Sequence, residues 1–307
     1  MLKMYHHCHQ SGDSPEFWEK TWSESNFETA LRFCDHDPVR PLFEEYSRPG
    51  TRMLEGGCGI GQYVSYYSRR GWDVVGLDFA FDAVAKLHTR SNDFPLCVGD
   101  VSKLPFRDIT FDLYYSGGVV EHFETGPQEA LREAWRVLKP GGIFLVSVPY
   151  FSPLRRFISR FRTDDWRKVS ETKPDADEKA ATRRFFQYAF KPTEFKLLLS
   201  EAGFTVVKIQ GYSILWGLYE LPLFALLPKY FESRAAAAPT QTQTVIPEPD
   251  SAPLTDAKPA RASFLKRLAV DEDDSVLIIG KAVKALRWAC ANMMMYVCVR
   301  KSIMASE

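Results

Sequence analysis

The sequence predicts an α/β fold in which a parallel sheet is covered by helices on both faces. Between residues 51 and 148, short apolar runs alternate with segments of helix length, which is typical of repeated strand–helix–strand units. The first apolar run ends in glycines at 56–61. The run Asp73–Asp78 reads as a strand that is buried on both faces and ends in an acid. A chain of 307 residues has room for one large domain or two small ones.

Composition and charge are those of an ordinary globular protein. The chain is 45% hydrophobic and 25% charged, and its formal net charge of +0 gives no reason to expect a nucleic-acid partner. Six cysteines are scattered without metal-ligand spacing, which indicates reduced thiols in a cytoplasmic protein. The histidines at 6, 7 and 9 around Cys8 fit either a metal site or a frayed terminus. We predict a frayed terminus, no metal and no secretory signal.

The glycine-rich turn carries the most chemical information. It has the form E-x-G-x-G-x-G from Glu55 to Gly61, and a helix is predicted at 62–70. Glycines permit positive φ and close approach of a ligand to the backbone, and the helix behind them directs free N–H groups at the same place. The dinucleotide pattern G-x-G-x-x-G fails here, because Gln62 and Val64 stand where its last glycine is required.

Three further motifs follow in order. Asp78 lies about twenty residues beyond the glycines, where a carboxylate can accept from both hydroxyls of a ribose. It can equally be the N-cap of a helix at 81–90. A segment G-D-x-x-x-L-P-F begins at Gly99, and its Asp100 has the alternative role of a loop cap. The string L-K-P-G-G at 138–142 precedes an apolar strand.

Together these motifs resemble those of the class I S-adenosylmethionine-dependent methyltransferases, over about residues 52–150 and again at 190–212. The resemblance implies a Rossmann-like, seven-stranded, mostly parallel sheet with helical insertions. Its last strand, at about 292–300, would be antiparallel and would lie between strands five and six. Its cofactor would be S-adenosyl-L-methionine, whose sulfonium and ammonium suit an acidic residue beside the glycine turn.

The resemblance also implies a set of cofactor-binding residues at the strand ends. In it, Asp78 binds the ribose, Phe79 lies against the adenine and Asp100 accepts from the adenine amino group. The full expected set is Glu55, Gly56, Gly57, Cys58, Gly59, Gly61, Asp78, Phe79, Asp100, Val101 and Ser116.

Catalytic and acceptor-binding candidates lie outside that set. His122 is the first candidate for a general base, since imidazole titrates near neutrality, and Glu121 and Tyr150 are alternatives. A structural role for His122 is the competing interpretation. Trp18 and Trp22 belong either to a lid over the site or to the core, on a helix predicted at 14–33. The acceptor-binding candidates Arg155 and Arg156 would grip a phosphate or carboxylate, or lie on a solvated helix face.

The predicted organisation has three parts. Residues 1–48 form a helical lid, including a second helix at 38–46, and 49–212 with 289–303 form the core. Within the core, 150–190 is a substrate-cap insertion. Residues 213–288 form a further insertion with a disordered linker at about 235–263. Its apolar start, 213–230, is too interrupted to span a bilayer, and either contacts a membrane surface or packs on the core.

Three functions fit the sequence. The first is methyl transfer to a soluble small molecule in the cytoplasm. The second is methylation of a lipid or lipid-linked acceptor by a protein peripheral to a membrane. The third is cofactor binding without catalysis, in an interaction protein. A nicotinamide dehydrogenase is disfavoured by the failed glycine pattern. A nucleic-acid substrate is disfavoured by the neutral charge and by Ser116-Gly117-Gly118-Val119, which lacks an Asn-Pro-Pro-Tyr-type segment.

Overall fold

The computed structural model of the chain describes residues 1–7, 14–90, 94–160, 183–218 and 277–301. The described residues form a seven-stranded mixed sheet, a two-stranded antiparallel ribbon and the helices packed around them. The predicted linker at 235–263 and most of the predicted insertion at 213–288 lie outside these ranges. The predicted division into lid, core and insertions stays a prediction.

The large sheet has the predicted topology. Its strand order is β4-β3-β2-β5-β6-β9-β8, parallel from β4 to β6, with β9 antiparallel to both of its neighbours. This confirms the expectation of a last strand between the fifth and sixth strands of the family fold. The strands are β1 (Leu2–His7), β2 (Arg52–Gly56), β3 (Asp73–Asp78), β4 (Leu96–Val98), β5 (Phe111–Gly117), β6 (Leu138–Pro149), β7 (Arg183–Ala189), β8 (Phe204–Tyr212) and β9 (Met293–Arg300).

Helices cover both faces of this sheet. The helices are α1 (Pro15–Ser23), α2 (Phe27–Phe33), α3 (Arg40–Tyr46), α4 (Gln62–Ser68), α5 (Phe81–Arg90), α6 (Gln128–Val137), α7 (Pro153–Ile158), α8 (Pro192–Glu201), α9 (Ile214–Leu218) and α10 (Leu277–Cys290). The predicted helix at 14–33 begins as expected, because Ser14 Oγ accepts from the Phe17 amide at 3.3 Å. Its prediction as a single helix is wrong, since Asn26 caps a second helix through the Thr29 amide at 2.9 Å.

The N-terminus forms a strand, which corrects the prediction of a frayed end. β1 pairs antiparallel with β7, from Leu2 opposite Ala189 to His7 opposite Arg183. The pairing joins segments about 180 residues apart in sequence. A separate parallel bridge from Tyr150 to Phe190 attaches the end of β7 to the end of β6 in the large sheet. The ribbon thus brings the first residues of the chain next to the end of β6.

Two hydrophobic layers enclose the sheet because successive strand residues point to opposite faces. On one face Leu54, Leu77 and Tyr114 pack with residues of α6 and α8, and on the other Met53 and Leu113 pack with residues of α3 and α4. Every one of these strand residues is buried. The parallel strands are therefore covered on both faces, as their continuous apolar runs predicted.

Two searches of the described residues gave negative results. No helix in those residues is both long and apolar enough to cross a bilayer. No group of three or more metal-ligating side chains occurs in the same residues.

Gly61 is expected to be essential to the turn between β2 and α4. It has φ of +72°, and a methyl group there would overlap Cδ2 of Leu87, so Gly61→Ala should lower the free energy of unfolding by about 3 kcal/mol. Gly141→Ala is the matched control, because its φ of +76° is similar but nothing lies within 4 Å of the added methyl. Its expected loss is only about 1 kcal/mol. Urea denaturation measures both, and equal losses would refute the steric part of this explanation.

Candidate functional site

A cavity opens at the carboxyl ends of β2, β3 and β5, where the strands meet the loops that follow them. This edge is where ligands bind in open α/β sheets. The cavity is lined by Trp18, Trp22, Glu55, Gly57, Cys58, Gln62, Tyr63, Asp78, Phe79, Gly99, Asp100, Val101, Tyr115, Gly117, Gly118, Val119, His122 and Phe123. It therefore brings together residues from three of the four sequence motifs, and the L-K-P-G-G string is the one that does not contribute.

Asp78 ties the glycine turn to the end of β3. Its Oδ2 accepts from the Gly59 amide at 2.7 Å and its Oδ1 accepts from the Ala80 amide at 2.9 Å. Burial raises the pKa of Asp78, while these backbone hydrogen bonds act to lower it. A carboxylate has about four acceptor positions, so two amide bonds leave room for ligand hydroxyls. The amide that donates to Asp78 Oδ1 is that of Ala80, which precedes α5, whereas the sequence predicted a cap on the helix itself.

Glu55 is a buried acid with an incomplete set of partners. Its side chain is only 3% exposed, and its Oε2 has no hydrogen-bond partner among the described residues. Burial raises its pKa well above the usual range for a glutamate, and the nearby Asp78 charge raises it further. A buried carboxylate of this kind is costly unless a cation approaches it. The two acids therefore fit a ligand with a positive charge and ribose hydroxyls, as the resemblance implied for S-adenosylmethionine.

Glycines keep the backbone beside these acids accessible. Gly57 and Gly59 both have positive φ, and a methyl at Gly59 would come within 2.8 Å of the Trp22 ring. The amides of Gly57 and Cys58 donate to the Leu77 carbonyl at 2.7 and 3.0 Å, which fixes the turn against β3. The sequence pattern around Glu55 thus produces a tight turn that no residue with a side chain could form unchanged.

The far part of the cavity carries the residues expected near an adenine. Phe79 is half-buried, Asp100 is exposed and Val101 is buried, and all three line the cavity. Asp100 Oδ1 accepts from the Ser102 amide at 2.8 Å, so its alternative role as a loop cap is present in the structure. A capping bond at one oxygen is compatible with ligand binding at the other.

Helix α1 lies over the cavity opening. Trp18 and Trp22 stack on each other with ring centroids 5.5 Å apart, and both line the cavity. Trp18 also meets the His122 ring edge to face at 4.9 Å. Both tryptophans are half-buried, and Trp22 also packs against a small hydrophobic cluster of Phe27, Ile60 and Leu87, so the lid role stays a prediction.

His122 is held by a residue that the sequence analysis missed. Its Nδ1 lies 2.7 Å from the Phe186 carbonyl oxygen on β7. A carbonyl can only accept, so Nδ1 carries the proton and Nε2 of the neutral ring carries the lone pair. Glu121 Oε1 lies 3.9 Å from Nε2, and burial raises the pKa of Glu121 to about 8. The pair thus combines a fixed imidazole with a carboxyl that stays protonated near neutral pH.

Several predicted site residues do not line the cavity, namely Gly56, Gly59, Gly61, Ser116, Glu121, Tyr150, Arg155 and Arg156. Tyr150 donates from its hydroxyl to the Trp288 carbonyl at 3.0 Å and does not line the cavity. Arg155 is buried, and its guanidinium donates to the Tyr150 carbonyl at 2.9 Å and to both the backbone and side-chain oxygens of Asn292. Arg156 is exposed outside the cavity. Ser116 is fully buried in the sheet. Arg155 is thus a structural guanidinium, not an anion-binding group.

Several lining residues had no clear signal in the sequence. Tyr63 and Tyr115 pack edge to face at 5.3 Å, and the Tyr63 hydroxyl donates to the buried carboxylate of Asp37. The position of Tyr63, in the first turn of the helix behind the glycines, was a usable signal. Phe186 offered none, because its role depends on the long-range pairing of β7.

Glu121 is expected to make stability fall as pH rises. The unfolded carboxyl loses its proton near 4.5 and the folded one near 8, so between these values unfolding releases a proton and higher pH favours the unfolded state. The free energy of unfolding of Glu121→Gln, taken relative to that of the wild type, should therefore increase by on the order of 3 kcal/mol from pH 5 to pH 8. Urea denaturation at both pH values measures this gain. The exposed Glu129→Gln should show none, and a pH-independent difference for Glu121→Gln would contradict the raised pKa.

Comparison with known proteins agrees with this geometry. The family model described as a methyltransferase domain matches residues 54–146. Demethylmenaquinone methyltransferase of Renibacterium salmoninarum is 37% identical over 117 residues, which are 37% of this chain and 48% of that protein. A human protein named Probable tRNA methyltransferase 9B is 36% identical over 112 residues, which are 36% of this chain and 24% of that protein. The chain thus spans about half or less of the length of these curated relatives.

A solved structure extends the likeness to the whole fold. A chain in the complex between the Haloferax volcanii Trm112 methyltransferase activator and a methyltransferase has a TM-score of 0.54 with this structure. The match covers 93% of this chain and 98% of that chain at 16% identity. At this identity the likeness shows a shared fold and nothing about the substrate.

Proposed function

We propose that this chain, whose residues 54–146 match a methyltransferase-domain family model, is a class I S-adenosylmethionine-dependent methyltransferase that transfers a methyl group from S-adenosyl-L-methionine to a small-molecule acceptor. One observation carries the proposal. The cavity at the sheet edge combines the buried acids Glu55 and Asp78 with the tight glycine turn that lines it through Gly57 and Cys58. This combination suits a cationic nucleoside and gives no phosphate-binding frame.

The residues of the cavity divide into two parts by what they can bind. Glu55 would face the positive charge of the cofactor and Asp78 its ribose hydroxyls, with Phe79, Asp100 and Val101 around the adenine. S-adenosylmethionine, when bound, supplies a methyl group on a sulfonium that a nucleophilic O, N, S or C atom of the acceptor displaces in line. Much of the remaining task of the protein is to align the acceptor and to exclude water.

His122 would take a proton from the acceptor where the reaction requires one. The Phe186 carbonyl fixes Nδ1 as the protonated nitrogen, so Nε2 is the basic atom. The Glu121 carboxyl lies 3.9 Å from Nε2, and because burial raises its pKa to about 8 it is neutral near pH 7 and adds no charge beside the ring. Trp18, in edge-to-face contact with the same ring, restricts its rotation.

The acceptor side of the cavity is aromatic and lacks cationic side chains within the described residues. Trp18, Val119 and Phe123 are there, and no lysine or arginine occurs in the described lining. This supports a neutral or positively charged acceptor with an aromatic or alkyl surface, rather than the phosphate or carboxylate acceptor suggested by the arginine-rich sequence at 155–184. The exclusion of a nucleic-acid substrate stays a prediction, because one relative is named as a tRNA methyltransferase.

Release of S-adenosylhomocysteine from a panel of acceptors tests this proposal. Matched pairs of neutral and carboxylate-bearing phenols, amines and thiols would be compared, with total tRNA as a separate acceptor. Turnover at least tenfold faster for the neutral members is expected. Turnover restricted to carboxylates or phosphates would refute the acceptor class, and methylation of tRNA would refute the small-molecule acceptor. Cofactor binding with no turnover on any acceptor would favour the non-catalytic alternative.

A further inference from the structure

Three helices form one continuous surface beside the end of β6. Helix α10 packs against α7 and against α9. The contact between α9 and α10 is close, since a methyl at Gly217 would overlap the Cys290 carbonyl oxygen. Ile214, Val283 and Leu286 fill the space between these two helices. The helix pair is therefore firmly packed, and its outward side chains have a fixed arrangement.

The outward side chains of this surface are aromatic and basic. On α10 the exposed residues Lys281, Lys284, Ala285 and Trp288 follow the spacing i, i+3, i+4 and i+7, which places them on one helix face. Trp288 is 63% exposed, and Trp216 on α9 is 67% exposed. On α7, Arg156 is exposed and its neighbour Phe157 is 57% exposed. We call these six residues, Arg156, Phe157, Trp216, Lys281, Lys284 and Trp288, the aromatic–basic surface.

The three helices themselves carry only positive charge, whereas Asp35, Asp37 and Glu45 of other elements share a groove with Lys284 and Trp288. The sequences of α7, α9 and α10 contain no aspartate or glutamate. Exposed tryptophans beside lysines are the composition of helices that lie in a membrane interface, where the rings sit at headgroup level and the lysines meet lipid phosphates. Each basic residue near an anionic membrane adds to the electrostatic attraction. Such a surface is complementary to an anionic bilayer.

Helix α10 is joined to segments that border the cofactor cavity. The Tyr150 hydroxyl donates to the Trp288 carbonyl, which attaches α10 to the residue that follows β6. Helix α10 leads directly into β9, and Cε of Met293 lies 3.9 Å from the position of a methyl at Gly118, a cavity-lining glycine.

We propose that the aromatic–basic surface docks the protein on anionic lipid bilayers. A membrane is favoured over a nucleic acid because the two tryptophans stand on helices rich in Leu, Ile and Ala, and because the whole chain has a formal net charge of +0. Docking requires neither cofactor nor turnover, so it stands independently of the proposed methyl transfer.

Vesicle flotation with the full-length protein tests the proposal without cofactor. Vesicles of phosphatidylcholine with 30% phosphatidylglycerol would be compared with pure phosphatidylcholine, at 0.05 and 0.5 M NaCl. The variants are Trp216→Ser with Trp288→Ser, and Lys281→Glu with Lys284→Glu. The two pairs are substituted separately, so that the aromatic and the basic contributions to binding are measured independently. The basic contribution needs its own test because acidic residues precede α10 in the sequence, outside the described residues: Asp271, Glu272, Asp273 and Asp274. Lys196→Glu with Leu197→Ser on α8 is the matched control, because both residues are exposed on a remote helix.

The wild type should partition onto anionic vesicles at least tenfold better than onto neutral ones at low salt. Each double variant should lose about tenfold or more, while the α8 control changes less than twofold. Circular dichroism melting curves should be unchanged, since all substituted side chains are exposed. Equal losses in the α8 control, or wild-type protein that stays unbound, would overturn the proposal. So would binding to single-stranded RNA that both surface variants abolish, without any binding to vesicles.

Discussion

Replacing Asp78 with alanine is expected to weaken the affinity for S-adenosylmethionine by about 100-fold. The substitution removes the carboxylate proposed to bind the ribose hydroxyls. It also removes the hydrogen bond that the Gly59 amide donates to Asp78 Oδ2 at 2.7 Å. A buried hydrogen bond to a charged group contributes roughly 1.5–3 kcal/mol, and 100-fold corresponds to about 2.7 kcal/mol. Isothermal titration calorimetry of the purified protein measures this loss directly.

Two further variants make the Asp78 result specific. Asp78→Asn keeps one acceptor oxygen and the shape of the side chain, and its expected loss is about tenfold. Asp73→Ala removes an exposed acid at the opposite end of the same strand and should bind like the wild type. Wild-type affinity in Asp78→Ala would remove the ribose role, whereas equal losses for Asp73→Ala and Asp78→Ala would indicate a general effect on folding.

Replacing His122 with alanine is expected to lower kcat by about 1,000-fold for an acceptor that must lose a proton, since general base catalysis typically contributes 10²- to 10⁴-fold. Cofactor affinity should change less than threefold, because the proposed cofactor contacts come from other residues. Steady-state kinetics with a methyl acceptor and calorimetry with S-adenosylmethionine separate the two effects. His88→Ala, on the exposed side of α5, is the control histidine.

His122→Asn distinguishes catalysis from support. The asparagine amide can still donate to the Phe186 carbonyl, as Nδ1 of His122 does at 2.7 Å, but it has no basic nitrogen. The catalytic role predicts that His122→Asn is as slow as His122→Ala. Activity restored to near wild type by asparagine would show that His122 only supports the loop, which was the competing interpretation of the sequence.

The central sheet could be predicted because its signals are local. The parallel strands β2, β3 and β5 are largely apolar runs ended by glycine or an acid, and the antiparallel β9 lies where the resemblance placed it. The cavity residues Glu55, Asp78, Phe79 and Asp100 were predictable for the same reason. The fixed order of strand, turn and helix brings their motifs to one edge of the sheet.

The parts that failed depend on distant contacts. The β1–β7 ribbon pairs residues about 180 positions apart, and neither strand has a strong pattern of its own. Arg155 looked like an anion ligand within a basic run, yet its guanidinium donates to oxygens of Tyr150 and Asn292. Sequence type alone cannot distinguish an arginine that binds ligand from one that binds backbone, because both uses employ the same planar donors. The role of the Phe186 carbonyl could not be predicted either, because it depends on the long-range pairing of β7 with β1.

A crystal structure of the protein with S-adenosylhomocysteine tests the central claim most directly. The predicted result is ligand density in the cavity at the ends of β2, β3 and β5. The ribose hydroxyls should lie within hydrogen-bond distance of Asp78, the amino group should face Glu55, and the adenine should lie against Phe79. Density at another place, or in this cavity with the ribose remote from Asp78, would contradict the assignment of the site.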